Sequence, residues 1–160
     1  MSDVKLDIKG IEVFQQILKT TKSKVLVGIM AEAGGKDHVD ENGKSSGVTN
    51  ADVGAAHEFG TERLPVRSWL RVPLNTYFYR NMRSAGAFSP AKLKELFATK
   101  SFSTWLAKAG AVGVATVNEA FNSEGNGTWP PSDMSRKTNH QTLVETHQLR
   151  DSVTYEVKNG

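Results

Sequence analysis

Residues 55–71 read AAHEFGTERLPVRSWLR, and this stretch predicts the end of one helix and the start of the next. Gly60 can stop the first helix, because glycine readily takes the left-handed backbone conformation at which many helices end. Pro65 restricts Leu64 to an extended conformation, and the Ser68 hydroxyl can cap the helix that follows. The stretch therefore predicts a structural joint between two helices.

The first helix of this joint is expected at residues 51–59, with Asn50 as its N-cap. Its apolar face is formed at helical spacing by Val53, Ala56 and Phe59. His57 and Glu58 lie on the more polar side. No serine or cysteine nucleophile with an orienting partner is recognisable near them, so we expect His57 to form a structural hydrogen bond rather than act as a general base.

The second helix of the joint is expected to follow Ser68 and to include Trp69, with Pro73 tolerated only near its start. Arg67 and Arg71 are four residues apart, so they would project from one side of this helix. Guanidinium groups bind both carboxylates and phosphates. The sequence therefore leaves two partners open for these arginines, an acidic neighbouring subunit or a nucleic-acid backbone.

The remaining apolar patterns predict further strands and helices. Alternating or β-branched apolar residues predict strands at 4–8, 24–30 and 153–157. Helical spacing predicts helices at 11–18, 90–97 and, longest, 102–121. We expect a single domain over residues 1–160, of the α+β class. In it a small, mostly antiparallel sheet packs on one long helix, with additional short helices.

Two long loops are expected at residues 31–49 and 122–140, which are rich in glycine and polar residues and have no apolar period. The first could also be the tip of a hairpin. Its oxygen-bearing side chains, at 37–42, do not have the spacing of a calcium loop. Residues 125–127 read GNG but lack the lysine of a phosphate-binding loop. Loops of this length are often functional, so we expect them to become ordered on contact with a partner subunit.

The composition of the chain excludes several functional classes of protein. The chain has 160 residues, 20 basic and 17 acidic side chains, and no cysteine, which excludes disulfides and thiolate chemistry. No apolar run approaches the roughly 20 residues that span a bilayer, and the first residues lack the apolar segment of a secretory signal. We therefore expect a soluble protein made in the cytoplasm, with no membrane contact. We also expect no cofactor and no metal.

Two other classes of protein serve as alternatives to an assembly role. A small DNA-binding accessory protein would use the basic residues, which fall largely after Thr61 but are interrupted by acidic ones. A hydrolase would need His57, Glu58 or His147 to converge on one pocket. Since no metal cluster, phosphate loop or nucleophile motif accompanies the joint, the sequence favours assembly and predicts a protein that is not an enzyme.

Three blocks of sequence resemble one known family. They are the joint at 55–71, the long helix through Phe121, and the pair formed by WPP at 129–131 and LVETHQLRDSVTY at 143–155. In this order and spacing they are similar to the tail-completion and virion-morphogenesis proteins of the HK97 gp10-like group of tailed bacteriophages. Ser68 stands where that family commonly has a second proline, while Glu145 and His147 stand where it has aspartate and glycine. Histidine is less at ease than glycine in a left-handed turn, which argues against the family's turn at that position.

This resemblance implies a structural virion protein at the head–tail junction, where copies of the domain form a ring at the neck. Six copies would match the symmetry of a tail. The implied partners are further copies of the chain, the head connector or adaptor, and tail terminator or tail-tube proteins, with non-specific contact to genomic DNA in the channel left open. A tail terminator that caps the tail tube is the alternative role.

The residues expected to mediate these contacts are Glu58, Arg63, Arg67, Trp69, Arg71, Arg80, Arg83 and Trp129. The arginines would pair with acidic neighbours or line a passage for DNA. The two predicted loops would reach adjacent subunits, the connector or the tail tube. Neither a catalytic nor a cofactor-binding residue is expected.

Overall fold

The computed structural model describes residues 22–40, 42–99, 102–131, 142–143 and 147–158. The strand predicted at 4–8 and the helix predicted at 11–18 lie outside these residues. In chain order the elements are β1 (Lys24–Ile29), α1 (Ala31–Gly34), β2 (Asp37–Val39), β3 (Ser45–Thr49), α2 (Asn50–Phe59), α3 (Arg71–Ser84), α4 (Pro90–Thr99), α5 (Ser103–Asn122), α6 (Gln148–Asp151) and β4 (Val153–Lys158). The fold is α+β, as predicted. Within the described ranges, no helix combines the length and apolar character needed to cross a bilayer.

The sheet that carries the core pairs the two predicted strands β1 and β4. They run antiparallel, with Val27 opposite Tyr155 and Ile29 opposite Val153. The long helix α5 packs across this sheet, and α3 packs on α5. The main apolar cluster forms between these layers from Trp69, Val117, Phe121, Leu149 and Val153. The long helix is therefore the centre of the domain, as the sequence predicted.

One buried face of α5 is lined with small residues, and this allows the sheet to approach closely. A Cβ atom added to Gly110 would lie 2.1 Å from the ring of Tyr155, and one added to Gly113 would lie 2.7 Å from Val27. Such distances are far inside van der Waals contact. The two glycines lower helix propensity. Because they have no side chain, they also allow the helix to pack closely on the sheet.

The predicted joint between α2 and α3 is present, but both of its helices start elsewhere than predicted. The N-cap of α2 is Thr49, whose hydroxyl accepts from the Asp52 backbone N–H while the Asp52 carboxylate accepts from the Thr49 N–H. Asn50 is not the cap, because its buried amide instead bonds to His38 and to the Ala33 carbonyl.

The structure shows what the predicted residues Gly60 and Ser68 do in this joint. Gly60 ends α2 with a φ of 75°. The Ser68 hydroxyl accepts from the Val72 N–H at 3.0 Å, but the N-cap position of α3 is Leu70, which makes no side-chain cap bond. The helix itself begins only at Arg71, so Trp69 belongs to the connection and not to the helix.

Residues 31–49 are the hairpin that the sequence left as the alternative, and the long-loop interpretation is corrected. After the single turn α1, β2 and β3 pair antiparallel, and Asp40 closes the hairpin by accepting from the N–H groups of Asn42 and Lys44. Asp37 and Asp40 thus accept hydrogen bonds within the hairpin, and His38 bonds to the Asn50 side chain. No group of three or more His, Asp or Glu side chains in the described chain could hold a metal ion.

The second predicted loop starts with a left-handed turn, Glu124–Gly127, in which Gly125 has φ 67° and Asn126 has φ 58°. A Cβ atom at Gly125 would lie 2.3 Å from the ring of Trp129, so both conformation and space require glycine there. Residues 132–141 of this region lie outside the described residues. His147 adopts φ 57°, so this position is left-handed although histidine takes that conformation less readily than glycine does.

The contact between α5 and the sheet can be tested with Gly110→Val. We expect this variant to lose about 1–3 kcal/mol of unfolding free energy, because its side chain overlaps the Tyr155 ring. Ala111→Val is the matched control. It introduces the same residue on the exposed side of the same helix, where only the lower helix propensity of valine, about 0.5 kcal/mol, applies. Equal urea-unfolding midpoints for the two variants would contradict the packing described here.

Candidate interaction site

The buried carboxylate of Glu58 holds the joint between α2 and α3. Only 4% of this residue is exposed. Its two oxygens accept from the Ser68 hydroxyl at 2.6 Å, from the Leu70 N–H at 2.9 Å and from the Arg71 N–H at 3.2 Å. The carboxylate therefore takes up backbone donors at the start of α3 that have no partner inside that helix.

The position of Glu58 is unfavourable for its own helix and favourable for the next one. It lies in the last turn of α2, where the helix dipole disfavours a negative charge. The N-terminus of α3 faces it and favours that charge. The Arg71 guanidinium adds an ion pair at 3.6 Å and lies over the ring of Phe59, 67% of which is exposed. Sequence analysis placed Glu58 on a polar face, which is wrong because the cap is formed only in the tertiary structure.

Arg67 is buried, and the prediction that it projects from a helix beside Arg71 is wrong. Its Nε donates to the Pro130 carbonyl and its Nη2 to the Pro131 carbonyl, both at 2.9 Å. Burial lowers the pKa of this guanidinium, and the nearby Glu124 carboxylate opposes that shift. Arg67 thus ties the joint to the segment that follows α5, and its donors are directed inward.

The two tryptophans predicted as contact residues pack inside the domain. Trp69 is 4% exposed, and its Nε1 donates to the Gly54 carbonyl at 2.8 Å. Trp129 donates to the Ser68 carbonyl at 3.3 Å. Both rings contact Phe121, with centroid distances of 5.7 Å for Trp69 and 5.8 Å for Trp129.

The eight predicted interaction residues therefore separate into two groups. Five of them are brought together around the joint, namely Glu58, Arg67, Trp69, Arg71 and Trp129. The other three are exposed and lie elsewhere, Arg63 in the connection and Arg80 and Arg83 on α3. In the first group Glu58, Arg67 and Trp69 are buried, Trp129 is half-buried and Arg71 is exposed, so Arg71 and the three residues of the second group are the most accessible to a partner.

Glu124 forms a further contact within the segment that follows α5. Its Oε1 accepts from the backbone N–H of Thr142 at 2.9 Å. This bond, followed by one from the Thr142 side chain, lowers the pKa of the Glu124 carboxyl, and the charge of Arg67 contributes less. The carboxylate thus connects the left-handed turn to residue 142, which lies across the segment 132–141.

A continuous set of aromatic rings on the surface was missed by sequence analysis. We call it the aromatic surface and define it as Tyr79, Phe88, Phe102 and Trp105. Successive centroids are 5.4 Å apart from Tyr79 to Phe88, 6.1 Å from Phe88 to Trp105 and 6.3 Å from Trp105 to Phe102. Tyr79 is 68% exposed and Phe88 41%. Phe102 and Trp105 are half-buried, and Trp105 also packs against the cluster of Met82, Ala87 and Ala109. The sequence carried no signal that Tyr79 and Phe88 face outward.

Basic side chains lie next to these rings. Arg83 follows Tyr79 by one helical turn, so the two share a side of α3. Lys92 and Lys108 line a shallow pocket together with Trp105, and Lys92 forms an ion pair with Glu95 there. The aromatic surface therefore combines exposed rings with a positively charged margin.

An acidic counterpart lies on the hairpin and on the start of α2. We call it the acidic face and define it as Glu32, Asp37, Asp40 and Asp52, all of which are exposed. Asp37 pairs with Thr49 in the hairpin, and Asp52 accepts from the Thr49 hydroxyl at 2.7 Å. The side-chain hydrogen bond from Thr49, then the backbone one, lowers the pKa of Asp52. The exposed Val48 directly precedes Thr49 in β3.

Comparison of the chain with protein-family models, with curated proteins and with solved structures finds no match.

Removal of the Glu58 carboxylate tests the joint. We expect Glu58→Ala to lower the free energy of unfolding by about 2–3 kcal/mol, because a buried hydroxyl and two N–H groups lose their acceptor. Glu62→Ala removes an exposed carboxylate from the same connection and should change stability by less than about 0.5 kcal/mol. Urea titrations followed by tryptophan fluorescence measure both. Similar midpoints would refute a capping role for Glu58.

The Glu124 contact predicts a defined pH dependence. The folded-state pKa of this carboxyl is lowered, so its contribution to stability is complete above the unfolded-state pKa and is lost as pH falls through the folded-state pKa. The stability difference between wild type and Glu124→Gln should therefore be constant near neutral pH and shrink in acid. Urea unfolding from about pH 7 to about pH 3 measures it. A difference that grows in acid would contradict the assignment.

Proposed function

We propose that this chain is a structural protein of the phage head–tail junction, and that copies of it form a ring that joins the head connector to the tail. The observation that carries the proposal is the division of charge along the chain. Residues 31–62 hold seven acidic and two basic side chains, whereas residues 63–108 hold nine basic and one acidic. In the fold the first segment forms the hairpin and α2, and the second forms α3, α4 and the start of α5.

Two different and complementary surfaces on one subunit are compatible with ring formation. A head-to-tail interface joins one surface to a different surface of the next copy, and it closes into a ring where the rotation permits. In a two-fold dimer the same two surfaces would meet twice within one interface, with each copy contributing both. The charge division thus supplies the unlike surfaces that a ring needs, and the number of copies in the assembly distinguishes a ring from a pair.

The resemblance to the HK97 gp10-like group gains support from one backbone angle. His147 stands where that family has glycine, and its φ of 57° is a conformation that glycine adopts readily. Left-handed histidine is uncommon but tolerated. A left-handed residue at this position is compatible with the turn that the resemblance implies.

The chemistry of the buried site supports an architectural role. All three acceptor bonds of the Glu58 carboxylate stabilise the joint, and the two Arg67 bonds hold the segment after α5. These groups position surfaces and are directed away from solvent. In this role the protein makes and breaks no covalent bond.

Charge reversal tests the proposal. We expect the purified protein to form rings that dissociate at high salt, since exposed charges are screened there. The double variant with Arg80→Glu and Arg83→Glu should remain monomeric, and a phage relying on it should accumulate unjoined heads and tails. Analytical ultracentrifugation and electron microscopy of lysates measure the two effects.

The matched control is the double variant with Lys36→Glu and Lys44→Glu. It makes the same change in net charge on exposed residues of the acidic segment, and it should still assemble. Assembly of both double variants, or normal joining of heads and tails without the protein, would overturn the proposal. Where the protein is first found also decides its role, because a neck protein would occur on heads awaiting tails and a tail terminator on free tails.

A further inference from the structure

The aromatic surface continues into an apolar groove. We expect a binding partner to cover the combined area. The groove has a volume of about 300 Å³ and is lined by β1, α3 and α5 through Val25, Val27, Leu74, Phe78, Trp105 and Leu106. Trp105 belongs to both features. Contiguous apolar areas of this kind on a protein surface mark sites of interaction.

We propose that the aromatic surface binds the acidic face of a second copy of this chain, with Val48 of that copy against the rings. This inference rests on the proposed ring and specifies its interface. Arg83 and Lys108 at the margin of the rings oppose the carboxylates Glu32, Asp37, Asp40 and Asp52, while Lys92 is paired with Glu95.

The two surfaces have the composition of an interface on both sides. Tyrosine, tryptophan and arginine are enriched among the residues that dominate binding, and exposed rings contribute large contact area at small entropic cost. The acidic face is held rigidly, because Asp40 closes the hairpin turn and Asp52 caps α2. Its charges therefore need little reordering on binding.

A second copy fits better than the chain's own first residues. Residues 1–21 carry three acidic and three basic side chains, so they have no net charge to complement a basic margin. Residues 31–62, with seven acidic and two basic side chains, have a net negative charge. In cis, however, the hairpin that bears it packs against α2, and the aromatic surface lies on α3, α5 and the turn after α3.

Single-stranded nucleic acid is the other class that binds rings flanked by basic residues. One feature disfavours it here. Glu95 lies in the pocket beside Trp105 and neutralises Lys92 through their ion pair, which places a carboxylate where a phosphate would pass. An acidic protein surface with few charges needs only the remaining cations.

Site-specific photo-crosslinking of the full chain tests the inference. A benzophenone-bearing phenylalanine replaces Tyr79, and proteins grown in light and heavy nitrogen are mixed before irradiation. We expect crosslinks of mixed isotope between position 79 and residues 31–52. The same probe in place of Phe59 is the control, because Phe59 is 67% exposed and lies outside the aromatic surface. It should give no such crosslinks.

The contrary outcomes are distinct. Crosslinks within one isotope to residues 1–21 would show that the chain's own first segment covers the rings and would overturn the inference. Crosslinks to an added oligodeoxynucleotide in place of protein would overturn it in favour of nucleic acid. If mixed crosslinks form as expected while heads and tails join without the protein, the interface stands and the proposed function fails.

A substitution provides an independent measure of the same interface. Tyr79→Ser should weaken self-association by about tenfold or more, as removal of a central aromatic anchor does, while Phe59→Ser should change it less than about twofold. Sedimentation equilibrium measures both constants, and circular dichroism verifies that each variant is folded. Equal association of folded Tyr79→Ser and wild type would overturn the inference.

Discussion

The structure depends on one buried carboxylate, that of Glu58. An ionised group inside a protein is stable only where hydrogen bonds replace the lost water. Here the start of α3 provides them, since two backbone N–H groups and the Ser68 hydroxyl converge on the two oxygens. The direction of α3 relative to α2 is fixed by this convergence. Because α3 then packs on α5, and α5 on the sheet, the geometry of the joint sets the positions of all the layers.

Arg67 extends the same constraint to the far end of the long helix. Its two bonds reach the carbonyls of Pro130 and Pro131, while Trp129 bonds to the Ser68 carbonyl. A buried guanidinium with unmatched donors would be costly, so the chain at 129–131 must stay in place for the joint to be stable. The joint and the segment after α5 are consequently one cooperative unit, although more than 60 residues separate them.

Sequence periodicity was sufficient for the parts of the fold that depend on local spacing. The small-residue stripe of α5, the alternation of β4 and the stop at Gly60 all appear as predicted. The site was less predictable because its key contacts are tertiary. Glu58 beside His57 looks like part of a solvated helix face, and only the approach of α3 makes it a cap. The aromatic surface was missed for the opposite reason, since Tyr79 and Phe88 resemble core residues until their exposure is known.

Several residues after α5 have strained backbone conformations, and nearby hydrogen bonds hold them in place. Glu124, Asn126, Leu143 and His147 all have positive φ, and such residues cost of order 1–3 kcal/mol where the conformation is strongly disfavoured. The Glu124 bond to Thr142 and the Arg67 bonds to 130–131 offset this cost. The same contacts fix the chain on both sides of residues 132–141.

Rigidity of this kind matters for a subunit that has to present two unlike surfaces. Under the proposed assembly, each copy that seats its acidic face on one neighbour leaves its own aromatic surface for another. Each contact therefore leaves one surface available to a further copy, until the rotation that relates neighbouring copies closes the ring. Closure requires a constant angle between the two surfaces, because small errors accumulate around a circle. The acidic face is attached through α2 and the aromatic surface through α3, so the angle between them is set at the joint, by the carboxylate of Glu58.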